Sequence, residues 1–138
     1  MRPGSRAVAA LGLLLAAGPA LAAPTLAHQT VLLQTLDKVT ARTGLIEAPL
    51  NEEMRLGTLG ITARTCLETP PTEPPESAAF LEIRALEPGK PPEPLFTGWM
   101  FASTPALSAL EHPVYDVWVL DCAHPLQPSA PPPTTSSP

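Results

Sequence analysis

Glu111, His112 and Asp116 lie within six residues of one another, and Ser103 and Ser108 stand just upstream. An imidazole steered by a carboxylate can take the proton of a serine hydroxyl, which is the chemistry of acyl transfer. The spacing argues for something plainer. No serine sits in a strained G-x-S-x-G turn, and Pro113 directly follows His112. These polar residues are expected to form a turn that caps a strand. His28 and His124 fall at the two ends of the expected fold. Three acid pairs, Glu52–Glu53, Glu73–Glu76 and Asp116–Asp121, raise glycoside hydrolysis. That reaction needs two carboxylates facing each other across a cleft, and a domain this small offers little cleft. No segment has the density of Asp, Asn and Gly that a calcium loop needs, and there is no Walker loop, G-x-G-x-x-G or zincin helix. The expectation is no catalytic residue, no metal site and no cofactor.

Cys66 and Cys122 are the only cysteines, 56 positions apart, and each ends an expected strand. There is no C-x-x-C, and two thiolates alone do not hold zinc. Two cysteines in an exported chain are expected to pair. By the chain-entropy account such a loop contributes ~4 kcal/mol.

Aromatic side chains are the remaining candidates. Trp99, Phe101, Tyr115 and Trp118 could face a partner or fill the core. The segment Pro70-Pro71-Thr72-Glu73-Pro74-Pro75-Glu76 is expected to be extended polyproline II. Pro74 and Pro75 could then enter an aromatic groove on a partner. The favoured expectation is a stiff crossover packed on this chain's own aromatics.

Several elements must position these residues. Arg2 and Arg6, the apolar run Ala7–Ala17, the break at Gly18-Pro19 and the small residues Ala20-Leu21-Ala22 form a secretory signal in order. Residues 1–22 are therefore expected to be cleaved, with 23–28 a linker and no membrane anchor left behind. The apolar run is too short to cross a bilayer. Net charge is −5 over the chain, and −7 once residues 1–22 are gone, from thirteen acids and six bases. An acidic chain lacks the basic face that nucleic acid demands. The tail, residues 125–138, is uncharged and rich in Pro, Ser and Thr, and is expected to be disordered.

The folded part is expected over 29–124. Prolines cluster at 70–75 and 88–94 and punctuate it into short runs. Leu59, Ile61, Ala63 and Thr65 alternate with Gly60, Thr62, Arg64 and Cys66, and Ala79, Leu81, Ile83 and Ala85 alternate with Phe80, Glu82, Arg84 and Leu86. Period two with one apolar face predicts half-buried strands. Leu95–Ser103 and Val114–Cys122 are nearly continuous in apolar and aromatic residues, which predicts central strands covered on both faces. Asp37–Thr43 and Leu45–Pro49 are weaker strands. Val39–Thr43 echoes Ile61–Thr65, as two strands of one sheet would. Pro105–Glu111 is the one helical stretch, with Ser103 or Thr104 to cap it. The fold class is all-β: a small antiparallel β-sandwich or barrel, with one short helix between its last two strands.

Four stretches carry a family resemblance: Leu36–Thr43 (LDKVTART), Gly57-Thr58-Leu59, Pro70–Ile83 (PPTEPPESAAFLEI) and Gly98–Cys122 (GWMFASTPALSALEHPVYDVWVLDC). Over about residues 31–122 the chain resembles an alphaproteobacterial family known as domain of unknown function 2155. It departs at Leu56, where Phe is expected, and at Asn51, where a turn Gly is expected. The resemblance implies an exported, cell-envelope protein and brings no catalytic residues. Three functions fit. The first is a non-enzymatic periplasmic module binding an envelope protein partner. The second is an accessory subunit on the periplasmic face of an inner-membrane, respiratory complex. The third is a small hydrolase or carbohydrate binder using Trp99 or Trp118 with Glu111, His112 and Asp116.

Overall fold

The computed structural model describes residues 23–123. The expected signal (1–22), the expected disordered tail (125–138) and His124 lie outside the described residues. Nine strands and one short helix follow in order: β1 Leu26–His28, β2 Thr30–Asp37, β3 Arg42–Pro49, β4 Glu53–Leu56, β5 Leu59–Glu68, β6 Ser77–Ala85, β7 Glu93–Phe101, α1 Pro105–Ser108, β8 Leu110–Glu111 and β9 Tyr115–Ala123. All ladders between them are antiparallel. One sheet runs β1-β5-β6-β7, with β4 also on β5, and the other runs β3-β2-β9-β8. The sheets face each other as an open β-sandwich, not a barrel. Leu26–His28, inside the stretch read as linker, takes part as β1.

The core follows from alternation. Leu59, Ile61 and Ala63 of β5 and Ala79, Leu81 and Ile83 of β6 point inward and are buried. Val31 and Leu33 of β2 and Val117 and Val119 of β9 meet them from the other sheet. Burying each such side chain is worth about 1.5–3 kcal/mol. Two β-bulges then change the parity. β5 pairs Ala63 with Leu81 and Thr65 with Phe80, which leaves Arg64 unmatched. β9 pairs Val119 with Leu33 and Asp121 with Leu32, which leaves Leu120 unmatched. Each bulge stands two residues before a cysteine. The extra residue swings the rest of the strand over, so Cys66 and Cys122 enter the core. They form the expected disulfide, with Cα atoms 5.8 Å apart, and it joins the two sheets. Strict alternation had put Cys66 on the face of Thr62 and Arg64; the bulge corrects that.

Other expectations are corrected too. Asp37–Thr43 is not one strand: Asp37 ends β2, residues 38–41 turn, and Arg42 and Thr43 begin β3. Asp37 Oδ1 accepts from the N–H groups of Val39 (2.9 Å) and Thr40 (3.1 Å), and Ala41 adopts φ 54°. The strand is β2 before it, whose leucines on both faces hide its period. Val39–Thr43 and Ile61–Thr65 therefore do not share a sheet. The helix stops at Ser108, Thr104 makes no side-chain cap, and Leu110–Glu111 pairs with β9 as β8. β7 is an edge strand, as Pro94 and an extra residue at Leu95 suit. β9 is central, but β8 covers only Asp116 and Val117 of its far side. The segment 70–75 is a hairpin loop. It turns where Glu73 N–H bonds Pro70 O (3.0 Å), and Thr69 closes its base onto Glu76. Asn51, where the resemblance led one to expect Gly, holds φ 65°, a left-handed value that Asn tolerates.

Replacing both cysteines with alanine is expected to cost about 4 kcal/mol. Urea unfolding measures this; a loss under about 1 kcal/mol would show that packing alone holds the sheets together. Asp37 supplies a pH signature. The Thr40 N–H, aided by the Val39 N–H, holds its carboxyl below the ordinary 3.8. A carboxyl lowered in the folded chain stabilises the turn above the unfolded value, and that contribution is lost as pH falls. Side-chain NMR titration is expected to place its midpoint under 3.8, and Asp37→Asn to abolish the acid loosening of the turn amides.

Candidate functional site

The outer face of the β1-β5-β6-β7 sheet divides into two halves. Cross-strand register sets Ala27, Leu67, Ala78 and Phe101 in one row, and Thr65, Phe80 and Trp99 in the next. All point away from the core. Trp99 and Phe101 sit two positions apart on β7, so their rings share this face. They remain 40% and 37% exposed. Phe80 meets Trp99 edge-on, with ring centroids 5.6 Å apart and planes at 79°. Pro24, Leu67, Ala78, Trp99 and Phe101 line a shallow apolar hollow of about 200 Å³.

The other half of the face is ionic. Arg64 donates to Glu82 (Nη2–Oε2 2.9 Å) and to Asn51 Oδ1 (3.1 Å). Arg84 Nε donates to Glu53 Oε2 at 2.7 Å. These residues line a groove of about 320 Å³ with Thr62, Ile83, Pro94 and Thr97. Each arginine is already engaged by a carboxylate, and such exposed pairs contribute little stability. The contrast is chemical: one half presents rings, the other fixed ion pairs.

β7 also presents its backbone. The Phe101 N–H bonds Ser108 Oγ (3.4 Å), whereas the Ala102 N–H bonds Ser77 O on the β6 side (2.8 Å). Backbone groups alternate along a strand. Thr97 and Trp99 therefore turn their N–H and C=O away from β6. Among the described residues no strand pairs with that edge.

The other sequence candidates lie elsewhere. Trp118 is half-buried on the outer face of the second sheet, opposite Gln34, so the two tryptophans occupy opposite sides of the sandwich. Tyr115 turns inward, its hydroxyl against Gly57, where any Cβ would collide with it. Pro75 lines a cleft with Leu26, Pro70 and Pro71 and borders Leu120 and Ala102, while Thr69 Oγ1 donates to Pro74 O (2.9 Å). His112 Nδ1 accepts from Val114 N–H (3.2 Å), and its ring stacks on Tyr115. Lys38 Nζ reaches Asp116 Oδ1 (2.7 Å) and His112 O (2.9 Å), and Glu111 pairs across to Asp116 in the ladder. Ser103 donates to Glu76, and Ser108 is spent on Phe101. Among the described residues no hydrogen bond joins His112 to either serine. His112 lies in the turn between β8 and β9, where its N–H bonds Tyr115 O (3.0 Å). Of the glutamate and aspartate pairs, Asp121 accepts from Ser77 Oγ (2.8 Å) and serves the β6–β9 corner. His28 pairs with Glu68 at the end of β1. No group of three or more His, Cys, Asp or Glu among the described residues is arranged to hold a metal ion, and no helix among them is long and apolar enough to cross a membrane. Sequence reasoning named Trp99 and Phe101 but missed Leu67, Ala78 and Pro24. Small and aliphatic residues acquire a role only through register, which one strand read alone does not supply.

Comparison with known proteins adds a family and one relative. A bacterial family, DUF2155, described as uncharacterized protein conserved in bacteria, matches residues 31–122. The uncharacterized protein RP359 of Rickettsia prowazekii (strain Madrid E) is 30% identical over 87 residues, which are 63% of this chain and 56% of that protein. The chain thus spans about half the length of the curated relative it matches. No solved structure matches it.

Trp99 lies outside the core, so its loss is mild. Trp99→Ser is expected to cost about 1–2 kcal/mol, against about 3 kcal/mol for Leu81→Ala in the core. Urea unfolding of the two variants decides between these placements; equal losses would put Trp99 in the core.

Proposed function

The chain belongs to the DUF2155 family, and from that premise we propose that it is an exported, non-enzymatic module of the cell envelope that holds a partner protein by an extended segment. The segment is laid along the open edge of β7. One observation carries the reading: an edge strand that turns the N–H and C=O of Thr97 and Trp99 outward also carries two exposed rings at alternate positions.

Each feature has a separate task in such a complex. Backbone hydrogen bonds from Thr97 and Trp99 supply affinity without regard to sequence. Every second side chain of the added segment then falls on the ring side, where the hollow of about 200 Å³ accepts apolar groups. Partly exposed Trp and Phe are suited to this, because they bury large area for few frozen torsions. The ion pairs farther along the face refuse an apolar continuation and so bound the site. Export is supported by the signal pattern of residues 1–22 and by a disulfide that suits an oxidising compartment.

A photoreactive phenylalanine at Thr97 is expected to crosslink a defined envelope protein in living cells. The same probe at Gln34, on the outer face of the other sheet, serves as the control. Trp99→Ala together with Phe101→Ala is expected to cut the Thr97 crosslink at least tenfold, the loss that about 1.4 kcal/mol of binding brings. Equal crosslinking from Thr97 and Gln34 would refute the edge as the site.

A further inference from the structure

We infer that the hollow beside Trp99 and Phe101 reads proline, and that its resident occupant is the chain's own segment 125–138. The inference rests on the reading of β7 as a binding edge and adds its regulation. The tail shields the rings until a partner displaces it.

The hollow is built for such a ligand. Two aromatic rings stand at the i, i+2 spacing of a strand, about 7 Å apart. Leu67 and Ala78 form a floor between strands, and Pro24 already lies among these residues. Pyrrolidine rings pack on aromatic faces, and a polyproline II segment loses little conformational freedom on docking. The loop at 70–75 does not compete, since it is turned back on itself at Pro70–Glu73.

The tail has the matching composition and position. Residues 125–138 hold six prolines, including Pro131-Pro132-Pro133, and no charge. An uncharged segment brings no ion to be stripped of water on an apolar floor. It also leaves the fold near the hollow. β9 ends at Ala123, and Cys122 is bonded to Cys66, the neighbour of Leu67 in the floor. The sheets are about 10 Å apart. Pro131 lies eight residue steps beyond Ala123, which at about 3.1 Å each span about 25 Å. That length is more than twice the spacing between the sheets. Tethering places the segment at millimolar effective concentration, so even weak affinity keeps it seated.

The test uses the full exported chain carrying Trp118→Phe, so that Trp99 is its one indole. It is compared with the same chain carrying P131S, P132S and P133S. Acrylamide quenching of Trp99 is expected to rise about twofold in the triple-serine chain. A synthetic peptide of residues 124–138 is expected to restore the shielding there and to change nothing in the parent. Equal quenching in both chains, with no effect of the peptide, overturns the docked tail. Shielding that grows with protein concentration overturns its assignment within one chain and gives it to a second copy. The Thr97 crosslink separates this inference from the reading beneath it. A rise in the crosslink on serine substitution upholds both. A crosslink indifferent to the substitution, with equal quenching, overturns the tail and leaves the edge standing. Unequal quenching without any crosslink upholds the tail and overturns the edge reading.

Discussion

The sandwich depends on one parity constraint. A disulfide between two facing sheets requires both half-cystines to point inward, and strands allow that only at every second position. In β5 and β9 the cysteine stands three positions beyond the last buried core residue, Ala63 in one and Val119 in the other. Neither can bridge in a regular strand. One extra residue in each strand, Arg64 and Leu120, reverses the parity and brings Cys66 and Cys122 together. A bulge on only one strand would leave one sulfur facing solvent. The two irregularities are therefore a single feature, and the cross-link fixes both.

That reversal also arranges the outer surface. Beyond the bulge of β5, Leu67 occupies the outer face, where strict alternation would have put Glu68 or Cys66. Its row is completed by Ala78 and Phe101, and the next row by Phe80 and Trp99. On the other side of the bulge the same face carries Thr62, Glu82 and Arg84. Arg64, itself the extra residue, reaches both Glu82 and Asn51 from the boundary. The irregularity that buries a cysteine thus marks the division between the ring-bearing half and the ionic half.

Sequence reading recovered what depends on local period and missed what depends on register. The β6 alternation was legible because Ala79, Leu81 and Ile83 differ sharply from Glu82 and Arg84. The disulfide was legible because two cysteines leave one pairing. β2 was not, since leucines occupy both of its faces and only Gln29 separates it from β1. β7 looked central because its aromatics imitate a doubly covered strand. Only its register with β6, which sets Trp99 beside Phe80 and Phe101 beside Ala78, shows that these rings face outward. The turn at Asp37–Ala41 was hidden by Val39 and Ala41, whose apolar character suggested a strand. Its cause is a single carboxylate that collects two N–H groups. The family resemblance drew on stretches from both sheets, yet nothing in it placed the rings.

An exposed edge strand is ordinarily a hazard, because it invites any extended chain to pair. β7 limits the hazard along its length. Pro94 has no N–H to offer, and the extra residue at Leu95 interrupts the ladder at that end. At the other end Ser108 of α1 occupies the Phe101 N–H. Between these two stops the outward-facing backbone is that of Thr97 and Trp99. A window this short cannot template a long strand pair, and backbone hydrogen bonds alone would hold a segment there weakly. The rings must supply the rest. Affinity then depends on what the segment presents to Trp99 and Phe101, so an edge that would pair indiscriminately becomes selective for side chains that fill the hollow.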